Sequence, residues 1–156
     1  MRTFDASLDG SGLRIAVVVS RFNELITERL LAGAVEGLAE CCVPPERTLV
    51  AWVPGSFELG YGARLLAASG RFDAVICLGC VIKGETEHDV YISQQAARAI
   101  AAVGEDSGVP AIFGVLTTNT FEQALARAGE GSTNKGYEAA LAAVTMANLR
   151  RRLAGG

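Results

Sequence analysis

Basic residues are scarce in this chain. The 156 residues include 14 lysines and arginines against 17 acidic residues, which gives a formal net charge of −3 and a pI of about 5.2. A nucleic-acid-binding protein needs a basic face to neutralise phosphates, so the sequence argues against nucleic acid as a partner. We interpret the one basic cluster, Arg150 to Arg152, as a solvated helix end whose cations suit the helix dipole.

Long apolar runs are also missing. A membrane-spanning helix needs about 20 consecutive apolar residues, and residues 1–10 do not resemble a signal peptide. We therefore expect no membrane partner and a cytoplasmic, reducing location. Apolar residues nevertheless make up 50% of the chain, and there are 18 glycines besides. Since a small monomer has little room to bury such an excess, we expect a homo-oligomer.

Metal-ligating residues are few. His88 is the only histidine, and one imidazole cannot make a metal site by itself. Cys77 and Cys80 have the C-x-x-C spacing of a redox motif, but such motifs stand at a helix start, where the dipole lowers the thiol pKa. Here both cysteines fall inside a continuous apolar run. The sequence therefore predicts inert strand cysteines and no metal site.

Apolar strand-like segments alternate with segments of helical periodicity along the whole chain. The predicted strands cover residues 13–20, 48–53, 74–82 and 111–116. The predicted helices cover residues 23–40, 58–69, 88–106, 120–127 and 135–153, and Thr120 and Gln123 occupy capping-box positions. This order predicts an α/β fold with a central four-stranded parallel sheet between helical layers. We expect one domain over residues 13–156, preceded by an arm, residues 1–12, that is free to disorder or to pair with a neighbouring subunit.

Unusual residues follow each predicted strand, at positions 21–23, 54–58, 83–88 and 117–119, whereas the opposite edge shows no such cluster. Because ligands bind beyond the carboxyl ends of parallel strands, the sequence predicts a site there. Phe22 and Phe57 are interpreted either as hydrophobic staples on their helices or as stacking surfaces for a flat heterocycle. Glu58, near a helix start, also suits the helix dipole without any ligand.

The turn at residues 84–86 precedes a helix, where free amide groups can hold a phosphate, although no Walker motif is present. His88 follows directly and is suited to proton transfer at neutral pH, but a lone histidine is also compatible with a structural role. Lys83 and Lys135 are the only lysines, so a Schiff-base lysine is a rival hypothesis. Lys135 and Arg127 are either helix-end charges or parts of an anion pocket.

Five segments carry a resemblance to a known family. They are RFNELITERLLAGA from Arg21, VPGSFELG from Val53, LGCVIKGETEHDVYIS from Leu78, FGVLTTNTFEQALARAG from Phe113 and NKGYEAALAAVTMANL from Asn134. In order and spacing, from residue 21 to residue 149, the chain resembles lumazine synthase. The resemblance implies a flavodoxin-like three-layer sandwich and a pentamer, or a multiple of pentamers, with sites between adjacent subunits.

The same resemblance implies residue roles. Phe22 would stack on a pyrimidine, Ser56, Phe57 and Glu58 would hold a ribityl chain, and the backbone at Cys80, Val81 and Ile82 would read the pyrimidine edge. Glu85 and Thr86 would bind a phosphate through main-chain donors, and His88 would move protons. The neighbouring subunit would supply Phe113, Arg127 and Lys135. Two features depart from the family: Asp89 stands where many relatives have an aromatic residue, and residues 129–133 (GEGST) have an unexpected form in a region associated with assembly size.

The implied activity is the condensation of 5-amino-6-(D-ribitylamino)uracil with 3,4-dihydroxy-2-butanone 4-phosphate, without a metal or organic cofactor, to 6,7-dimethyl-8-ribityllumazine. This is the penultimate step of riboflavin biosynthesis, and riboflavin synthase is a further candidate partner. Three alternatives stay open: an aldolase-like Schiff-base enzyme, a non-catalytic flavin- or lumazine-binding protein, and a structural shell protein whose activity is secondary.

Overall fold

Residues 1–155, which the computed structural model describes, build one parallel sheet with helices on both faces. The strands are β1 (Ile15–Ser20), β2 (Thr48–Val53), β3 (Ala74–Ile82) and β4 (Ala111–Thr118). The helices are α1 (Glu24–Glu40), α2 (Leu59–Ala68), α3 (His88–Ser107), α4 (Phe121–Ala126) and α5 (Lys135–Ala154). Single 3-10 turns occur at Pro45–Arg47, Ser56–Glu58 and Gly131–Thr133.

The strand order is β2-β1-β3-β4, and each strand is parallel to its neighbours. Val17 of β1 lies between Val50 of β2 and Ile76 of β3 in the register. The chain therefore leaves β1 first to one side of the sheet and then returns to the other side. Such a reversal is the switch point at which doubly wound sheets bind ligands. The α/β, flavodoxin-like architecture predicted from the sequence is confirmed.

Two apolar layers cover the sheet, because alternate side chains of a strand point to opposite faces. Ile15, Val17 and Val19 pack in the layer that contains α1 and α5, and Ala16 and Val18 face α2 and α3. Each of these five side chains is fully buried. Burial on both faces is the reason why β1 and β3 read as nearly continuous apolar runs.

Several element ends differ from the prediction by one or two residues, and two of these differences concern β4 and the start of α4. β4 continues to Thr118, so Thr117 and Thr118 belong to the strand and not to the loop after it. At the start of α4, the Thr120 hydroxyl accepts a hydrogen bond from the Gln123 amide at 3.2 Å, as predicted. The Gln123 side chain, however, accepts from the amide of Asn119 at 2.8 Å, one residue before the N-cap. In a standard capping box the Gln123 side chain would accept from the amide of Thr120, the N-cap residue. Here that reciprocal bond is shifted by one residue toward the N-terminus.

The N-terminal arm has no regular secondary structure and lies on its own chain. The side-chain amide of Asn148 in α5 donates to the carbonyl oxygens of Ser7 and Asp9 at 2.7 and 2.9 Å. The amide of Gly10 donates to the carbonyl oxygen of Cys41 at 2.6 Å. The arm is thereby attached both to α5 and to the end of α1.

Arginines at the end of α5 contribute to this attachment. Arg152 donates to the carbonyl oxygen of Asp5 at 2.6 Å, and Arg151 pairs with Asp73 at 3.0 Å. The interpretation of Arg150 to Arg152 as a solvated helix end is confirmed, because all three are exposed in the last turns of α5, and two of them also bind groups that are distant in sequence. None of the helices within residues 1–155 is both long and apolar enough to cross a membrane.

Candidate functional site

A groove of about 720 Å³ opens at the carboxyl edge of the sheet, between the turns that follow β1, β2 and β3. Nine of the residues predicted to form a site line it: Phe22, Ser56, Phe57, Glu58, Cys80, Val81, Ile82, Thr86 and His88. They come from three separate β–α connections. The fold therefore brings together side chains that are up to 66 positions apart in the sequence.

The two aromatic rings of the groove are exposed. The exposed fraction is 70% for Phe22 and 56% for Phe57. A hydrophobic staple would be covered by its helix, so these values disfavour the staple interpretation. Both rings instead present apolar surface to the groove, as stacking against a flat ligand requires.

Asn23, which follows Phe22, ties this turn to the end of β3. Its backbone is left-handed, with φ of 59°, and its side-chain amide donates to the carbonyl oxygen of Cys80 at 2.8 Å. Asparagine enters this region more readily than most residues. Asn23 belongs to the unusual residues 21–23, but the sequence predicts no role for it, since the bond becomes evident only when β1 and β3 are adjacent.

Ser56 provides a buried hydroxyl without a partner. The residue is 4% exposed, and its Oγ makes no hydrogen bond within the described chain. Such an unpaired group costs about 1–3 kcal/mol, which a ligand hydroxyl in the groove would recover. The hydroxyl lies directly over Gly79, where a Cβ atom would stand only 2.6 Å from Oγ. Gly79 is a second residue for which the sequence predicts no role.

The backbone at the end of β3 faces two directions. The N–H groups of Val75 and Lys83 donate toward β4, to Pro110 and Thr118, at 2.8 Å each. The backbone N–H and C=O groups of successive residues alternate between the two neighbours of a parallel strand. Those of Val81 therefore also point toward β4, whereas those of Cys80 and Ile82 point toward the side of β1. β1 has already ended at that level. The N–H and C=O of Ile82 are therefore turned toward the groove.

The turn between β3 and α3 offers free amide groups. The backbone amides of residues 84–87 donate to no other group within residues 1–155, and no side chain caps α3. The backbone amide of His88 donates a hydrogen bond to the Thr86 hydroxyl oxygen at 3.4 Å. Free amides at the start of a helix form an anion site. Gly84 and Thr86 line the groove beside this turn, whereas Glu85 lies in the turn but does not line the groove.

The charges around the turn do not favour an anion. Lys83 is accompanied by three carboxylates, those of Glu85, Glu87 and Asp89. Asp89 lines the groove, and its side chain has no hydrogen-bond or ion-pair partner within the described chain. His88 is exposed and adds the one imidazole. A dianionic ligand at the free amides would therefore benefit from a cation supplied from outside this part of the chain.

Three predicted residues lie elsewhere. Phe113, Arg127 and Lys135 line a separate hollow of about 370 Å³ beside the edge strand β4 and α5. Arg127 donates to the carbonyl oxygen of Gln123 at 3.0 Å, and the Lys135 ammonium pairs with Glu138 at 2.8 Å. Within one chain, these residues therefore do not belong to the groove.

The two lysines give little support to Schiff-base chemistry. A lysine that attacks carbonyl groups is activated by desolvation or by a neighbouring cation. Lys83 and Lys135 are both exposed, and the second is paired with a carboxylate. Neither lysine lines the groove.

The C-x-x-C cysteines lie in β3 and point to opposite faces of the sheet, because Cys77 packs toward α2 and α3 and Cys80 toward α1 and α5. Burial raises the pKa of the Cys77 thiol to about 12 and that of the Cys80 thiol to about 11. Two thiols on opposite faces cannot form a disulfide. The prediction of inert strand cysteines is confirmed in position and environment. Across residues 1–155, no three His, Cys, Asp or Glu side chains come together in an arrangement that could hold a metal ion.

A family comparison agrees with this geometry. The sequence model of the 6,7-dimethyl-8-ribityllumazine synthase family matches residues 12–151. The match spans the four strands, the groove and the hollow beside β4. The chain therefore belongs to the 6,7-dimethyl-8-ribityllumazine synthase family, a family of enzymes of riboflavin biosynthesis.

Proposed function

We propose that this protein is a transferase that condenses 5-amino-6-(D-ribitylamino)uracil with 3,4-dihydroxy-2-butanone 4-phosphate to 6,7-dimethyl-8-ribityllumazine. The observation that carries the proposal is the groove itself, which combines exposed aromatic rings, an unpaired buried hydroxyl, free amide groups and an imidazole. The aromatic rings suit a flat heterocycle, and the buried hydroxyl suits a polyol. The free amides suit a phosphate, and the imidazole suits proton transfer.

In the proposed complex, Phe22 stacks on the pyrimidine, and the backbone groups of Ile82 pair with its polar edge. The Ser56 hydroxyl and the Glu58 carboxylate accept hydrogen bonds from the ribityl chain, with Phe57 against it. The orientation of Ile82 toward the groove and the missing partner of Ser56 support these assignments. A polyol is well suited to both groups, because each hydroxyl can donate and accept.

The phosphate of the second substrate binds the free amides near Glu85 and Thr86. Since one lysine faces three carboxylates around this turn, we assign the missing cation to Arg127 of an adjacent subunit, with that subunit's Phe113 and Lys135 nearby. The separation of these residues from the groove of their own chain supports a site shared by two subunits. The proposed assembly is a pentamer or a multiple of pentamers, in which each subunit presents one surface to its neighbour.

The reaction starts when the 5-amino group of the uracil attacks the ketone carbon and water leaves, which forms an imine. Loss of inorganic phosphate, closure of the second ring by the ribitylamino nitrogen and loss of another water complete the lumazine. The substrate amine is the nucleophile, so the protein contributes mainly by holding both reactants in register. His88 accepts and returns the protons that these steps move.

The direct test mixes both substrates with purified protein and follows lumazine absorbance. Steady-state formation of the lumazine supports the proposal, and binding without turnover would favour a non-catalytic binding protein. Borohydride treatment with the butanone phosphate serves as the control for the Schiff-base alternative. A covalent adduct on either lysine would overturn the assigned chemistry.

A further inference from the structure

A polar hollow of about 450 Å³ lies at the amino edge of the sheet, on the side opposite to the groove. Four arginines border it: Arg14, Arg71, Arg150 and Arg151. We call it the arginine hollow. Arg14 and Arg71 come from the segments before β1 and β3, and Arg150 and Arg151 belong to the last turns of α5. In the sequence only the last two are adjacent, so folding brings these three segments to one hollow.

The acid in this hollow is already neutralised. Among the residues that border it, Asp73 is the only carboxylate. One of its oxygens accepts from the guanidinium of Arg151 at 3.0 Å, and the other accepts from the backbone amide of Arg14 at 2.7 Å. Within residues 1–155, the guanidinium groups of Arg14, Arg71 and Arg150 have no hydrogen-bond or ion-pair partner.

Helix dipoles account for only part of this positive charge. α1, α2, α3 and α5 all end at this edge, and the carboxyl end of a helix carries about half a negative charge. Four such ends together with Asp73 supply about three negative charges against the four positive charges of the arginines. About one positive charge therefore stays unmatched. In a chain whose formal net charge is −3, this local excess is unusual.

We propose that the arginine hollow binds an oxyanion of the phosphate class, either inorganic phosphate or a phosphomonoester. Guanidinium groups present paired N–H donors in a planar fork that fits tetrahedral oxyanions. Arg14, Arg71 and Arg150 line a hollow of about 450 Å³, which is larger than one phosphate, so a small organic substituent also fits. This inference does not depend on the proposed function, because the hollow and the groove lie at opposite edges of the sheet.

The test measures the binding of inorganic phosphate to the full chain by equilibrium dialysis, in a phosphate-free buffer of low ionic strength. Glycerol phosphate in a parallel series distinguishes a phosphomonoester from the free ion. In the double variant Arg14→Gln/Arg150→Gln we expect the affinity of this site for phosphate to fall at least about tenfold. At a phosphate concentration that fills the site in the wild type, the variant should therefore bind one phosphate fewer per chain. Lumazine formation should stay within about twofold of wild type, since neither residue lines the groove.

Arg98→Gln is the matched control, because Arg98 is an exposed arginine of α3 outside the hollow. It should retain the stoichiometry of the wild type. If the double variant does not fold, Arg71→Gln replaces it, since the Arg71 guanidinium makes no hydrogen bond and only lies 5.4 Å from the Phe72 ring. Unchanged phosphate binding in the folded variants, or equal loss in Arg98→Gln, would overturn the proposal.

Discussion

The side-chain amide of Asn23 donates a hydrogen bond of 2.8 Å to the carbonyl oxygen of Cys80, although the two residues are 57 positions apart. This bond joins the turn after β1 to the end of β3. The turn carries Phe22, and the strand continues through Ile82 into the free amides before α3. A residue without a predicted role therefore sets the spacing between the aromatic wall of the groove and its anion-binding turn.

Substitution of Asn23 tests this connection. Asn23→Gly retains the left-handed backbone but loses the bond, which contributes about 1 kcal/mol. Asn23→Ala loses the bond and adds about 1–2 kcal/mol of backbone strain. We expect both variants to raise KM for the ribitylaminouracil several-fold, and Ala to lower Tm more than Gly does. A wild-type KM in both variants would show that the bond does not position Phe22.

Two glycines of the site should respond differently to alanine. In Gly79→Ala the new Cβ would stand 2.6 Å from the Ser56 hydroxyl oxygen and 2.9 Å from the Leu59 side chain, so we expect a loss of about 1–3 kcal/mol in the free energy of unfolding. In Gly84→Ala the Cβ would meet nothing within 4 Å, and the backbone there is not left-handed. Its stability should therefore stay within about 0.5 kcal/mol of wild type.

Urea unfolding of both variants measures these differences, and kinetics adds a second comparison. Gly84→Ala should raise KM for the butanone phosphate more than KM for the uracil, because a methyl group would obstruct close approach to the free amides. Equal kinetic parameters for Gly84→Ala and wild type would indicate that the phosphate does not bind this turn closely.

His88→Ala tests proton transfer. The imidazole is exposed in the groove and supports no other part of the described chain through a side-chain hydrogen bond. We expect substrate binding to persist and turnover to fall about 10²-fold. Calorimetric titration with the uracil and steady-state kinetics separate the two effects. Wild-type turnover in this variant would remove the histidine from the mechanism.

Arg127→Ala should mainly impair use of the phosphate substrate. Arg127 does not line the groove of its own chain, and we assign it to the site of a neighbour. KM for the butanone phosphate should increase, since a charge-assisted bond contributes about 1.5–3 kcal/mol, while KM for the uracil changes little. An equal effect on both substrates would contradict the assigned role.

A mixing experiment tests whether the site is shared between chains. Subunits of His88→Ala and Arg127→Ala are unfolded, combined in equal amounts and refolded. If each site takes one residue from each of two subunits, random assembly restores both in about a quarter of the sites. The matched control refolds each variant alone. Activity of the mixture no greater than the mean of the two separate variants would place both residues in the site of a single chain.

Cysteine reactivity tests the buried environment of β3. Burial raises the pKa of the thiols of Cys77 and Cys80, so both stay protonated and covered at neutral pH. Cys41 is buried as well, whereas Cys42 is exposed. Iodoacetamide should therefore label one cysteine, Cys42, in the native protein and all four in urea, as intact mass reports. Rapid native labelling of Cys80 would indicate that the floor of the groove opens.

Asn134 illustrates a limit of sequence reasoning. It was recognised only as the first residue of a family segment, just before α5. In the fold it is 2% exposed, and its side chain satisfies two amides of α5 as well as the carbonyl oxygens of Arg29 and Gly129, at 2.8 to 3.3 Å. One of these partners is 105 positions away. Local pattern indicates a helix cap, but it cannot indicate a bond to another helix.

Periodicity and composition alone determined the order of strands and helices, the parallel sheet and the edge that carries the groove. They succeeded because each buried segment shows the apolar spacing of its own secondary structure, a helical repeat in the helices and a continuous apolar run in the strands covered on both faces. The tertiary structure decided the rest: the bond from Asn23 to Cys80, the close contact of Ser56 with Gly79, the removal of Arg127 from its own groove and the arginine hollow. Each of these depends on distances between residues from different segments, and a local repeat contains no information about such distances.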